Sequence, residues 1–137
     1  SSEYSGTNEL SPAMRNRFNE IYDQGLQNDE LGAIQKIFMK KVPNGDKMAD
    51  KMVKFHVKVK DMLENREIAK RRKVENMEYT IRNLKSWAKY MKVFHEEDGE
   101  EKAFVGGAEH VYASEFPNAK DREKLINLAT EYYKENK

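Results

Sequence analysis

Apolar residues recur at helical spacing along most of the chain, and extended patterns are nearly absent. The first clear helical run is Asp29 to Lys41, which places Leu31, Ile34, Ile37 and Phe38 on one face. Val42-Pro43-Asn44-Gly45-Asp46 breaks the pattern, and Asp46 is a candidate cap for the next helix. From Lys47 onward Met48, Met52, Phe55, Val59 and Met62 recur every three or four positions, with Lys51, Lys54, Lys58 and Lys60 on the far side. Glu64 to Glu78 is almost free of apolar residues and reads as a solvated helix extension or a mobile loop. A second amphipathic run follows, with Ile81, Leu84, Trp87, Ala88, Met91 and Phe94 in register. His95 to Glu101 reads as an acidic turn around Gly99. Lys102 to Phe116 is expected to be helical, with Phe104, Ala108, Val111 and Tyr112 packed. Inside it, Gly106-Gly107 permits close approach of another helix. Pro117 breaks the pattern, and Asn118 or Asp121 starts a last helix with Leu125, Leu128, Ala129 and Tyr132 inward. Before all this, only Asn19 to Tyr22 reads as a short extended piece, closed by Gly25. The expected fold is all-α, a small bundle of about five helices.

Composition narrows the picture modestly. A length of 137 residues suits one compact domain. Lys+Arg 25 against Asp+Glu 24 leaves a net charge of +1, so overall charge selects no partner. Charged residues make up 36% and the mean hydropathy is −0.97, so the core is expected to be thin. With no cysteine, disulfides and thiolate metal sites are excluded. No apolar run is long enough to span a membrane as a helix. The chain opens on Ser1-Ser2 without Met, which reads as a boundary within a longer protein.

Candidate chemistry concentrates on arginines. Arg15 and Arg17 stand two apart in Leu10-Ser11-Pro12-Ala13-Met14-Arg15-Asn16-Arg17-Phe18, on a short turn that Pro12 can start. Arg82 stands near the expected start of the Trp87 helix, where a cation opposes the helix dipole and an anion would offset that cost. Guanidinium groups suit phosphates that gain charge in a transition state, although arginines beside apolar residues are by default solvated surface cations. The chain has no Gly-x-x-x-x-Gly-Lys-[Ser/Thr] phosphate loop, and Gly106-Gly107 lacks the Lys-Ser/Thr that would make it one. Lys70-Arg71-Arg72-Lys73 is a candidate nuclear-localisation signal or RNA contact, set against a solvated face interleaved with Glu67 and Glu75. His95-Glu96-Glu97-Asp98 is consecutive, so its side chains diverge on a helix and no metal site is expected. His56 is assigned to the core edge, the Met48-Met52-Met62 stripe to core, and Trp87 to anchoring the bundle.

Two segments carry a resemblance. Glu9-Leu10-Ser11-Pro12-Ala13-Met14-Arg15-Asn16-Arg17-Phe18-Asn19-Glu20-Ile21 resembles the Glu-Leu-Ser-Pro-Ala-Leu-Arg-Asn-Arg-Phe-Thr-Glu-Ile stretch of the midasin family, dynein-related AAA ATPases of large-subunit ribosome assembly. Tyr79-Thr80-Ile81-Arg82-Asn83-Leu84-Lys85-Ser86-Trp87 resembles the family's Ser-x-Arg-x-Leu-x-x-Trp sensor-2 helix, and Phe104 to Tyr112 the Gly-Ala segment after it. The order is that of the family, with a helical lid between the two motifs. The resemblance implies that residues 1–25 are the C-terminal remnant of an AAA core and residues 26–137 an α-helical AAA lid. It implies that Arg17 is an arginine finger acting in trans on the ATP of an adjacent module, that Arg15 is a secondary contact, and that Arg82 is the sensor-2 arginine.

The same resemblance implies ATP and Mg2+ in the intact parent and none on this fragment, since Walker A and Walker B would precede residue 1. It further implies adjacent AAA modules and pre-60S particles with their assembly factors as partners, and a nuclear location. The alternatives are the lid of another dynein-related or MoxR-type AAA ATPase, or a free-standing helical module that binds RNA or protein.

Overall fold

The computed structural model describes residues 28–65, 67–68 and 76–135. Five α-helices make up the described part: α1 (Asn28–Phe38), α2 (Gly45–Glu64), α3 (Asn76–Asp98), α4 (Glu100–Val111) and α5 (Ala119–Lys134). A short 3-10 turn (Ala113–Glu115) links α4 to α5. No strand occurs among the described residues. The expectation of a five-helix all-α bundle is met. The extended piece at Asn19 to Tyr22 and the division at residue 25 lie outside the described residues.

The helices pack as two pairs joined through a shared core. Helix α1 lies on α2, α3 lies on α4, and α5 closes the bundle against α4 and α2. At the centre, Trp87 of α3 meets Phe55 of α2 edge-on, with ring centroids 5.3 Å apart, and Tyr112 at 5.4 Å. Phe104 of α4 tilts against Trp87 at 4.9 Å and carries the stack on to Tyr133 of α5 at 5.3 Å. Edge-on and tilted geometries suit the ring quadrupoles and add roughly 0.5–1.5 kcal/mol per pair to the area buried. The indole N–H donates to the carbonyl of Phe104 at 3.0 Å, so burying Trp87 leaves no donor unpaired.

The close approach of α3 and α4 depends on Gly107. A Cβ there would come within 2.6 Å of Trp87 Cδ1 and 2.8 Å of Nε1. At Gly106 a Cβ would meet only the hydroxyl end of the Tyr90 ring at 2.9 Å.

Several expected boundaries shift for local reasons. Ile37 is 69% exposed, while Gln35 and Met39 are buried. At ~100° per residue, Ile37 lies about 120° from Leu31, whereas Gln35 lies about 40° from it; Met39 and Val42 follow the end of α1. The start of α2 is capped by Asn44, in the left-handed region with φ 61°, and Asp46 sits inside the first turn. Asn44 Nδ2 donates to Glu100 Oε1 at 2.9 Å, tying this turn to the start of α4. Helix α2 stops at Glu64, the Glu67 N–H returns to the Met62 carbonyl at 2.9 Å, and Ile68 folds back into the core. Residues 65, 67 and 68 thus do not extend α2; residues 66 and 69–75 of the expected solvated extension or mobile loop lie outside the described residues.

His95 to Asp98 are helical, because Gly99 alone turns the corner. At φ 91° it donates to the His95 carbonyl at the end of α3, and its own carbonyl accepts from Ala103 in α4. Helix α4 ends at Val111 rather than Phe116, with Tyr112 turned into the core and the 3-10 turn following. Asn118 caps α5, its Oδ1 accepting from the Lys120 N–H at 2.8 Å.

The glycine geometry makes a directional prediction. Gly107→Ala should destabilise the fold by roughly 1–3 kcal/mol despite alanine's better helix propensity, because Trp87 has no room to retreat. Gly106→Ala should cost less, since Tyr90 is only half buried and its ring can swing. Urea midpoints of the two variants measure the difference; equal midpoints would contradict the close-approach account.

Candidate functional site

Of the three arginines singled out in the sequence, the structure describes Arg82. It is exposed on α3, the seventh residue of that helix. The helix therefore begins well before it, and the opposition to the dipole expected of a cation in the first turn does not apply. Arg15 and Arg17 lie outside the described residues, as do Lys70, Arg71, Arg72 and Lys73. No predicted site residue is thus brought beside Arg82 among the described residues.

The rotation of α3, and so the direction of Arg82, is fixed by the residues next to it. Asn83 is buried, and its Nδ2 donates to the carbonyl of Val111 at 3.3 Å, a group at the end of α4 with no helical partner of its own. The Leu84 carbonyl accepts from Gln35 Nε2 of α1 at 3.0 Å, and Leu84 and Trp87 are fully buried. Asn83 and Gln35 are the positioning residues that sequence reading missed. Gln35 stands in the middle of an apolar stripe, and Asn83 follows a residue chosen for its charge. Gln35 Oε1 is buried with no partner among the described residues, and nothing in the described structure accounts for it.

A second polar network joins the ends of three helices. Glu100, in the first turn of α4, accepts from Asn44 through Oε1 and from the Tyr133 hydroxyl through Oε2 at 2.8 Å. Burial and this carboxylate push the Tyr133 hydroxyl up to about 12. Lys51 Nζ donates to the Tyr133 carbonyl at 2.6 Å and lies 5.2 Å from its ring centre. Beside this network is an open depression of about 780 Å³ lined by Asp98, Glu100, Glu101, Glu109 and Lys102 among others. Four carboxylates against one ammonium repel a polyphosphate. Along α3 its lining runs from Tyr90 to Asp98, about 12 to 24 Å from Arg82.

Among the described residues no group of three or more His, Asp or Glu side chains is placed to hold a metal ion. No helix among them is long and apolar enough to cross a membrane. No chemical step is assigned to the described residues.

The family model described as the midasin AAA lid domain matches residues 34–134, about three quarters of the chain. This chain belongs to the midasin AAA lid domain family. The match runs from the middle of α1 to the last residue of α5 and includes Arg82, so the helical bundle is the lid of a midasin-like AAA ATPase. No curated protein and no solved structure matches the chain. Arg15 and Arg17 precede the matched range.

His56 is a strongly perturbed titratable group in the lid core. It is buried, with Nδ1 2.7 Å from the Tyr112 hydroxyl, and its ring packs edge-on against that tyrosine at 5.6 Å. Desolvation, followed by the charge of Lys60, lowers its pKa from 6.5 to about 3. This is a core histidine held neutral, deeper than the core edge expected for it. The folded state therefore binds fewer protons than the unfolded state between about pH 6.5 and about pH 3. Stability should be whole above that window and fall on acidification by up to ~1.4 kcal/mol per pH unit. His56→Gln should flatten that acid slope, whatever it costs at neutral pH. Thermal midpoints of both proteins between pH 7 and pH 4 give the comparison, and parallel slopes would refute it.

Proposed function

We propose that this lid serves a midasin-like ATPase that uses ATP hydrolysis to remodel pre-60S ribosomal particles in the nucleus. In this reading residues 26–137 are the lid and residues 1–25 the end of the core that precedes it. Adjacent AAA modules of the same protein are its immediate partners. The observation that carries the proposal is the family match over residues 34–134, together with Arg82 on the outer face of a helix whose rotation is locked. The parent's core would supply ATP, Mg2+ and the phosphate cradle.

Arg82 is read as the sensor-2 arginine and Arg17 as a finger directed at the nucleotide of a neighbouring module, with Arg15 as an accessory contact. A finger acts by stabilising charge on the transferring phosphoryl group, which typically contributes 10³–10⁵ in turnover. Helix α3 supports this role for Arg82 mechanically. A shift of α3 carries Asn83, Leu84 and Trp87 with it, and through them α4 and α1.

In the intact ATPase, Arg17→Ala should lower turnover by about a thousandfold or more with little change in folding. Arg82→Ala should weaken the response to nucleotide while changing the lid's folding free energy by no more than about 0.5 kcal/mol, since its side chain is exposed. Steady-state ATPase assays and melting curves on the two variants test this. Unchanged turnover in both would remove the nucleotide-sensing assignment.

A further inference from the structure

From Tyr79 to His95 the chain contains no acidic residue, although the whole chain has 24. Within that stretch Lys85, Lys89 and Lys92 are all exposed on α3. At ~100° per residue they fall within an arc of about 60°, over about 10.5 Å of helix. None of the three lysines takes part in an ion pair among the described residues. Lys85–Lys89 is an i,i+4 pair and Lys89–Lys92 an i,i+3 pair, so like charges face each other along the ridge, which mildly destabilises the isolated helix. Val93, 63% exposed, lies about 40° from Lys89 on the same face. Large apolar side chains are otherwise well covered among the described residues, Ile37 on α1 being the other exposed one.

We infer that this ridge of α3 is a docking surface for an acidic, amphipathic protein segment. Charge complementarity supplies the first reason: three cations spaced 4.5–6 Å apart along a helix match carboxylates spaced three and four residues apart on a partner helix. Val93 supplies the second, because an apolar side chain among the lysines gives an apolar residue of the partner something to cover. A single-stranded nucleic acid would instead call for exposed aromatic rings to stack its bases. Of the rings nearest the ridge in sequence, Trp87 is buried, half-buried Tyr90 lies against Gly106 and Gly107, and half-buried Phe94 packs on Tyr90 with ring centroids 4.5 Å apart. The inference needs no ATP, and Arg82, about 20° from Lys89 around α3, shares this face, so a nucleotide held at Arg82 would compete with the partner segment.

The test uses the 137-residue chain and a fluorescent peptide of glutamates and leucines at helical spacing, with a single-stranded oligouridylate as the rival probe. Anisotropy titrations should show salt-sensitive binding of the peptide. The double variant Lys85→Glu/Lys89→Glu should weaken it by about tenfold or more. Val93→Ser should weaken peptide binding severalfold without changing the weaker binding of oligouridylate. Lys120→Glu/Lys124→Glu, which reverses two exposed charges on α5, should leave peptide binding unchanged. Circular dichroism confirms that each variant is folded; should the double variant unfold, Lys92→Glu replaces it. Tighter binding of oligouridylate, equal loss in the α5 variant, no peptide binding, or self-association of the chain in light scattering would each overturn the proposal.

Discussion

The contact between the Trp87 ring and the bare backbone of Gly107 sets the geometry of the lid. With no side chain at position 107, the Cδ1–Nε1 edge of the indole comes close enough to α4 for its N–H to reach the Phe104 carbonyl. The ring centroids of Phe55 and Tyr112 then stand 5.3 and 5.4 Å from that of Trp87. Helices α2, α3 and α4 therefore share one aromatic centre instead of three separate seams. Truncating such a ring would remove roughly 3–5 kcal/mol, a large share of what a small domain has. A thin core in a chain with 36% charged residues gains from the meeting of four of its largest side chains, Trp87, Tyr112, Phe55 and Phe104, at one centre.

The polar groups inside this core serve to fix rotation. Asn83 reaches the last carbonyl of α4, Gln35 a carbonyl of α3, and His56 the Tyr112 hydroxyl. Each bond crosses between elements and is shielded from water, so slipping any one helix would strand a buried donor or acceptor at about 1–3 kcal/mol each. Apolar contacts alone tolerate sliding; these bonds do not. The outer faces are thereby held in register, and it is on such a face that Arg82 and the lysine ridge of α3 are displayed.

Most of the bundle is legible in the sequence because its stripes are simple. Met48, Met52, Phe55, Val59 and Met62 fall at 3.6-residue spacing and are all buried, and so are Leu84, Trp87, Ala88 and Met91. Reading fails where tertiary contacts outweigh pattern. Ile37 is apolar but stands about 120° off the buried arc, while the polar Gln35 lies inside it because the Leu84 carbonyl awaits its amide. Ile68 stands in a charged stretch whose few apolar residues show no helical period to announce that it folds back into the core. His95 to Asp98 looks like a turn by composition, yet one glycine at φ 91° suffices for the corner. For the site, the family resemblance located Arg82, but its exposure and the locks beside it depend on Gln35 and Val111, which lie 47 and 29 positions away in the chain.

This division of labour bears on what a lid can transmit. An exposed arginine on a loosely packed helix would respond to a bound anion by reorienting its own side chain, and nothing further would move. Arg82 is flanked by Asn83 and Leu84, each tied to a different helix, so a pull on α3 is shared with the end of α4 and the middle of α1. Glu100 extends the connection, since it holds both the start of α2, through Asn44, and the end of α5, through Tyr133. A force applied at the outer face of α3 is therefore expressed as a small rigid shift of the whole bundle rather than as local bending. That is the mechanical property the proposed role in nucleotide sensing requires, and it follows from a handful of buried hydrogen bonds around one tryptophan.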